Sequence, residues 1–146
     1  MNTMNILVID AQGGGIGRQL VTAIKQNVPD VHVIAVGTNN TATAAMLKAG
    51  ADEAATGENS VVVGCRRADI IVGPIGIIIA DAMLGEVTPK MALAVAQCNA
   101  KRILIPFQHC DNIIVGISDF NTGTLIQHAL DEILKMPLAN PTPSVV

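Results

Sequence analysis

The sequence predicts a single α/β domain of the Rossmann-like kind, a three-layer, doubly wound and mostly parallel sheet with helices on both faces. Short apolar runs alternate with segments of helical spacing along the chain. Half of the 146 residues are hydrophobic, yet only Phe107 and Phe120 are aromatic. The core must therefore be built from aliphatic side chains, which is typical of parallel strands buried on both faces. A chain of this length forms one domain but not two.

The first half of the chain begins with Asn5–Asp10, a nearly continuous apolar run that predicts a buried strand followed by glycines. From Ile16 to Val28 the apolar residues recur at helical spacing, and Pro29 ends this helix. Val31–Val36 predicts the second strand.

The next elements are shorter. Asn40 or Thr41 can cap a second helix, which Gly50 would end in a left-handed conformation. Ala51–Ala55 predicts a weak third strand, and Thr56 can cap a short helix that reaches about residue 67.

The second half repeats the alternation and ends in a proline-rich tail. It predicts strands at Ala68–Val72, Arg102–Pro106 and Ile113–Ile117, and helices from Thr88 to about Ala100 and from Asn121 or Thr122 to Met136. Residues 1–136 are thus the expected domain. Residues 137–146 contain three prolines and are expected to be a disordered tail.

Composition and charge exclude several classes of protein. The formal charge is −3 and no run of Lys or Arg exceeds two residues, so we expect neither nucleic acid nor a membrane surface as a partner. The longest uncharged apolar run, Ile70–Ala80, is too short to span a bilayer. Three cysteines without a CxxC pair suit a reducing compartment and indicate no metal site, and the N-terminus shows no leader. A cytoplasmic location is expected.

Polar residues and glycines collect in the loops that follow the predicted strands. Ligands of such sheets bind beyond the carboxyl ends of the strands, near the point where the strand order reverses. We therefore expect a functional crevice formed by five loops: Gln12–Gly17, Gly37–Thr41, Thr56–Asn59, Gly73–Gly76 and Gln108–Asn112.

The first of these loops carries the sharpest signal. A strand, a glycine run and an immediate helix bring unpaired backbone N–H groups to a helix N-terminus, which favours phosphate or carboxylate. The candidate ligand-binding residues here are Gln12, Gly13, Gly14, Gly15, Ile16 and Gly17. As a degenerate dinucleotide fingerprint, the loop would use Gly14 for close approach of a pyrophosphate and Gly17 for helix–strand packing. The alternative is a turn that only fits the first helix against the sheet.

Two observations argue against the standard nucleotide sites. No acidic or basic residue stands about twenty residues after the glycines, where NAD or NADP sites carry one. Arg18 and Gln19 stand where a P-loop needs Lys and Ser or Thr. The cofactor is left open: a nucleotide, a dinucleotide or another phosphorylated small molecule.

Other candidate residues complete the expected site. Thr38 and Asn39 could bind a sugar hydroxyl, and a base or ring could be lined by Gly73, Pro74 and Gly76. Asp10 could hold a cation or a hydroxyl, or it could brace the loop. His109 and Cys110 could act as acid–base and nucleophile, or they could belong to a polar loop that closes the crevice.

Four segments together resemble a known family. They are Val8–Ala11 with the glycine run that follows, Thr41–Ala51, Ala55–Asn59 and Ile70–Ile77. The chain is similar in these segments to short bacterial proteins that are common in anaerobic Firmicutes and known only by a domain-of-unknown-function label. The resemblance implies a stand-alone Rossmann-like domain without an assigned activity.

Three functions remain open from the sequence. The first is binding of a nucleotide or other phosphorylated ligand by a homo-oligomer, and it leaves open whether the protein is an enzyme whose site is completed across a homodimer. The second is a regulatory or scaffolding homo-oligomer that uses Ile75–Leu84 as a partner surface. The third is an enzyme that depends on Cys110 and His109.

Overall fold

The structure is a computed structural model, and it describes residues 3–106, 112–117 and 121–137. Five strands are present in this part of the chain: β1 (Met4–Asp10), β2 (Val31–Gly37), β3 (Glu53–Thr56), β4 (Ile70–Pro74) and β5 (Lys101–Ile105). The helices are α1 (Gly15–Asn27), α2 (Asn40–Lys48), α3 (Glu58–Arg67), α4 (Pro89–Gln97) and α5 (Thr122–Lys135), with a 3-10 helix, η1, at Ile75–Ile78.

The five strands form one parallel sheet in the order β3-β2-β1-β4-β5. The chain moves outward from β1 to β2 and β3, and then returns to place β4 on the other side of β1. The strand order therefore reverses between β1 and β4, which is where doubly wound sheets bind ligands. The predicted fold class is confirmed.

Two separate hydrophobic cores cover the two faces of the sheet. Alternate residues of the central strands, such as Ile6 and Val8, pack with α1, α2 and α5 on one face. The residues between them, such as Leu7 and Ile9, pack with α3, α4 and η1 on the other. Because side chains of a strand alternate between faces, a sheet covered on both sides needs the continuous apolar runs that the sequence shows.

The predicted sixth strand at Ile113–Ile117 is wrong. Residues 112–117 form a turn without a strand, with a left-handed φ of 91° at Gly116. Ile113 is 90% exposed and Val115 is 93% exposed. An apolar run forms a strand only when a neighbour supplies hydrogen bonds and cover, and no described element covers this one. The predicted tail, residues 137–146, lies almost wholly outside the described residues.

Two helix caps differ from the prediction by one or two residues. The N-cap of α2 is Asn39, whose side chain accepts a hydrogen bond from the Ala42 amide at 2.9 Å. The N-cap of α3 is Gly57 rather than Thr56. The cap of α5 is Asn121, one of the two predicted residues. Cap residues compete over a short stretch of polar sequence, so backbone geometry decides among them.

Candidate functional site

The corner between β1 and α1 is a tight turn beside the strand-order reversal. The Gly14 amide donates to the Ala11 carbonyl at 3.0 Å, and Gly14 adopts a left-handed φ of 72° immediately before α1. Gln12 is also left-handed, with φ of 51°. The turn therefore brings the first amides of α1 to the carboxyl edge of the sheet, as the glycine run predicts.

Asp10 braces this turn from below. Its carboxylate accepts hydrogen bonds from the Ala11 amide at 2.8 Å and from the Gly17 amide at 2.7 Å, and the residue is only 4% exposed. Burial raises the pKa of the Asp10 carboxyl, against the opposing effect of the hydrogen bonds from Gly17 and Ala11. Asp10 was predicted either to bind a cation or a hydroxyl or to brace the loop. The two hydrogen bonds correspond to the bracing role.

Two amides of the turn are left without a protein acceptor. No described residue accepts a hydrogen bond from the backbone N–H of Gly13 or Gly15. A Cβ built on either residue would meet no atom within 4 Å, so both face open space. Such amides at a helix N-terminus bind anions, because their N–H dipoles add to the partial positive charge of the helix end.

The other two glycines of the turn serve packing. A Cβ on Gly14 would meet the backbone of Ala42 in α2 at 2.8 Å, and a Cβ on Gly17 would lie 2.8 Å from the Cβ of Asp10. Helix α2 thus occupies the position where a side chain of residue 14 would lie. Gly17 lets α1 approach β1, which is the role that the fingerprint assigns to this position.

A cleft of about 200 Å³ opens on the turn. Its lining comes from the turn itself and from three other parts of the chain: Asp10, Ala11, Gln12, Gly13, Gly14, Gly15, Ile16, Gln19, Pro74, Met83 and Thr122. Thr122 is the first residue of α5, so the N-termini of two helices, α1 and α5, reach one cleft. Both helix ends contribute positive potential to it.

The described lining of the cleft contains an acidic side chain but no basic one. None of the described residues that line it is Lys or Arg, and one of them, Asp10, is acidic. Backbone amides and helix ends are therefore its sources of positive potential. Its volume lies below the range of about 300–1,000 Å³ that is usual for whole small-molecule sites and suits a single phosphate-sized group.

Thr38 and Asn39 lie at the end of β2 and are bonded to a residue that the sequence analysis did not single out. Glu86 Oε1 accepts from the Gln12 amide at 2.9 Å, from Thr38 Oγ1 at 2.8 Å and from Asn39 Nδ2 at 2.6 Å. Partial burial raises the pKa of Glu86, but these three hydrogen bonds together hold it below its ordinary value. The side-chain donors of Thr38 and Asn39, which were predicted to bind a sugar, thus donate to the carboxylate of Glu86 in this structure.

The segment that carries Glu86 is an unusual turn between η1 and α4. Its ends are joined by hydrogen bonds from the Asp81 amide to the Val87 carbonyl at 2.7 Å and from the Val87 amide to the Ala82 carbonyl at 3.2 Å. Three non-glycine residues within it are left-handed: Asp81, Met83 and Leu84. Each such residue costs roughly 1 kcal/mol, and strain of this kind collects at functional sites.

The remaining predicted residues are distributed as follows. Pro74 lines the cleft, whereas a Cβ on Gly73 would collide with the Ile9 carbonyl oxygen and one on Gly76 with the side chain of Met83. These two glycines therefore permit close packing around β4 and η1. His109 and Cys110 lie outside the described residues, so their catalytic role stays a prediction.

Thr122 and Glu86 belong to the site but were not among the residues predicted from the sequence. A signal for Thr122 was nevertheless there: helices of a parallel α/β sheet begin at the carboxyl edge, so the predicted start of the last helix could have been assigned to this edge. Glu86 left no such signal, because its position depends on a left-handed turn that has no hydrophobic period.

The described residues contain neither a candidate metal cluster nor a candidate membrane-spanning helix. Within residues 3–106, 112–117 and 121–137, no three His, Cys, Asp or Glu side chains are grouped so that they could hold a metal ion. In the same residues no helix is both long and apolar enough to cross a membrane.

Comparison with protein-family models decides the family. The model described as "Domain of unknown function (DUF3842)" matches residues 5–137. The chain belongs to this family. The DUF3842 match includes the glycine turn, Glu86 and α5, and it confirms the resemblance to a domain of unknown function.

Two further comparisons complete the picture of this DUF3842 protein. No curated protein matches it. A solved structure, the dodecameric FMN-dependent Ubix-like decarboxylase from Escherichia coli O157:H7, matches with a TM-score of 0.45 and 18% sequence identity. The match covers 89% of this chain and 76% of the decarboxylase chain.

Proposed function

We propose that this protein binds a small phosphorylated molecule of the nucleotide type, with the phosphate in the cleft between the N-termini of α1 and α5. The observation that carries the proposal is the pair of backbone N–H groups of Gly13 and Gly15, which have no acceptor among the described residues and belong to two residues that line the cleft. Both residues are exposed, and N–H groups at the N-terminus of a helix have no acceptor within the helix, so these two are left to bind an anion that enters the cleft.

The surroundings narrow the ligand to one with few negative charges. Asp10 and Glu86 place carboxylates at the same corner, and the described lining residues contribute no Lys or Arg. A triphosphate would add several charges without a cation to balance them. We expect a monophosphate such as AMP to bind at least as tightly as ATP.

The test places one negative charge in the cleft. Gly15 is the first residue of α1, with a φ that is not left-handed and with free space on its Cβ side. Gly15→Asp is therefore expected to fold normally, because an acid in a first helical turn is favourable. It should abolish the thermal stabilisation that millimolar phosphate or AMP gives the wild type, through repulsion of the anion.

Asn40→Asp is the matched control. Asn40 is exposed and is the first residue of α2, so the variant adds an equivalent charge at an equivalent helix position, outside the lining of the cleft. It should respond to phosphate and AMP as the wild type does. Equal responses of Gly15→Asp and Asn40→Asp, or no response of the wild type, would contradict the proposal.

A second function is favoured by one observation. Leu84, at the tip of the turn that carries Glu86, is 98% exposed, whereas Ile77 of the same predicted partner surface is 1% exposed. Single exposed leucines are common on protein surfaces, so what favours a contact here is the position of this one in a turn with three left-handed non-glycine residues. The alternative is a scaffolding homo-oligomer joined through Leu84. Sedimentation of the wild type and of Leu84→Ser tests it, since the scaffold requires an oligomer that the variant loses.

A further inference from the structure

Two cysteines lie together far from the glycine turn. Cys65 is in the last turn of α3, and Cys98 is the C-cap of α4. Helices of a parallel α/β sheet run against the strands, so these helix ends lie at the amino edge of the sheet, opposite the proposed phosphate site. Both cysteines line one cleft of about 430 Å³ between the two helices.

The two thiols differ in accessibility. Cys65 is 6% exposed, whereas Cys98 is half-buried. Burial raises the pKa of the Cys65 thiol to about 12, and the neighbouring Cys98 adds to this rise. The two residues line the same cleft, and Cys98 packs against the hydrophobic cluster that contains Cys65, so the thiols are neighbours. The raised pKa keeps Cys65 protonated at neutral pH.

Cys98 has the surroundings of the thiol that reacts first. Its Sγ donates a hydrogen bond to the Val95 carbonyl at 3.1 Å, and Arg102 Nη1 lies 3.7 Å from the same Sγ. The guanidinium is held there by the carbonyl of Cys98 at 2.8 Å. A fixed positive charge thus lies beside the more accessible sulfur.

We propose that Cys65 and Cys98 form a dithiol site that reacts with small-molecule disulfides and becomes an intramolecular disulfide between α3 and α4. This site is independent of the phosphate cleft. Its chemistry requires an accessible thiol that attacks and a buried thiol beside it that completes the exchange, and the cleft provides both.

The exchange has two balanced steps. Cys98 loses its proton to water and attacks one sulfur of the disulfide, whose S–S bond breaks and releases one thiolate. Cys65 then loses its proton and attacks Cys98 Sγ, which releases the second thiolate. Both thiolates are protonated by water, so one dithiol and one disulfide become one protein disulfide and two free thiols. The protein is oxidised and the small disulfide is reduced.

Oxidised glutathione is the probe, used on the full chain with Cys110→Ser so that the third thiol does not react. The expected product has lost only the mass of two hydrogens, and peptide mapping finds Cys65 linked to Cys98. In the same background Cys65→Ser should keep one glutathione on Cys98, since no second thiol can release it. Cys98→Ser should react much more slowly, because only the buried thiol is left.

Two further measurements test the fold of each variant and the effect of the cross-link on stability. Circular dichroism establishes that each variant is folded, and unfolding in urea should show that the cross-link raises the midpoint of the Cys110→Ser protein. The proposal is overturned when the Cys110→Ser protein stops at a glutathione adduct, when no link between residues 65 and 98 is found, or when Cys65 reacts before Cys98.

Discussion

At the scale of single residues, the buried carboxylate of Asp10 determines the shape of the glycine turn. It joins the end of β1 to the third residue of α1 through the amides of Ala11 and Gly17. The residue type was evident in the sequence, where Asp10 ends an apolar run. Its role was not, because bracing and ligand binding both require a carboxylate at that place and only the hydrogen bonds distinguish them.

Removing this carboxylate should destabilise the protein. Asp10→Ala leaves two buried amides without an acceptor, and an unsatisfied buried donor costs about 1–3 kcal/mol. We expect the free energy of unfolding in urea at pH 7 to fall by about that amount. Asp131→Ala, at an exposed position of α5, is the control and should change it by less than about 0.5 kcal/mol. An unchanged Asp10→Ala protein would show that the bracing bonds contribute nothing.

The glycines of the turn show a second feature that the sequence did not determine, namely which glycine is open to a ligand and which one permits packing. The run Gly13–Gly17 predicted both a close approach by a ligand and close packing, and the residues divide between these roles. Gly13 and Gly15 face open space, whereas Gly14 and Gly17 face α2 and β1. Spacing alone could not make this division for Gly14, because its neighbour in α2 is distant in sequence.

At the scale of elements, the packing of α1 on β1 requires the absence of a side chain at Gly17. Gly17→Ala would place a Cβ against Asp10 and the buried Met46, and overpacking of this kind costs about 1–3 kcal/mol. Gly13→Ala has free space and a φ that is not left-handed, so it should be neutral or stabilise by up to about 1 kcal/mol. Urea unfolding of the pair checks this, and equal effects would contradict the packing argument.

The left-handed turn between η1 and α4 is tied to the sheet through Glu86. Because hydrogen bonds hold the pKa of Glu86 below the ordinary glutamate value of 4.5, its contribution to stability is present above that pH. The contribution is lost as the pH falls through the lowered folded-state pKa.

Glu86→Gln should therefore differ most from the wild type at neutral pH. Urea unfolding of both proteins between pH 7 and pH 3 measures the difference at each pH. The account predicts that the wild type is more stable at pH 7 and that its advantage shrinks below pH 4.5. A difference that is independent of pH would contradict the assignment of these hydrogen bonds to an ionised carboxylate.

The elements themselves were largely predictable, with one instructive exception. Five strands and five helices follow from apolar periodicity and from cap residues, because each has a neighbour that uses its apolar face. Ile113–Ile117 has the composition of a strand but lies beyond β5 without a described partner. Strand formation depends on pairing, and pairing is a property of the whole sheet rather than of the run.

At the scale of the whole molecule, the strand order separates two sites. The reversal between β1 and β4 puts the glycine turn, the turn with Glu86 and the start of α5 at the carboxyl edge. The same topology puts the ends of α3 and α4, with Cys65 and Cys98, at the amino edge. The alternation of strands and helices predicted that the glycine turn would lie at the carboxyl edge, but the crevice predicted from the sequence included neither the turn with Glu86 nor the start of α5. The grouping at the amino edge was not predicted, because residues 65 and 98 are brought together only by the packing of α3 against α4.

The most direct test of the central claim is a titration of ¹⁵N-labelled protein with inorganic phosphate, followed through the amide signals of the backbone. The account predicts saturable shifts that are largest at Gly13 and Gly15, with smaller shifts at the first residues of α5. Amide signals at Gly13 and Gly15 that stay in place up to high phosphate, or shifts confined to another part of the protein, would contradict it.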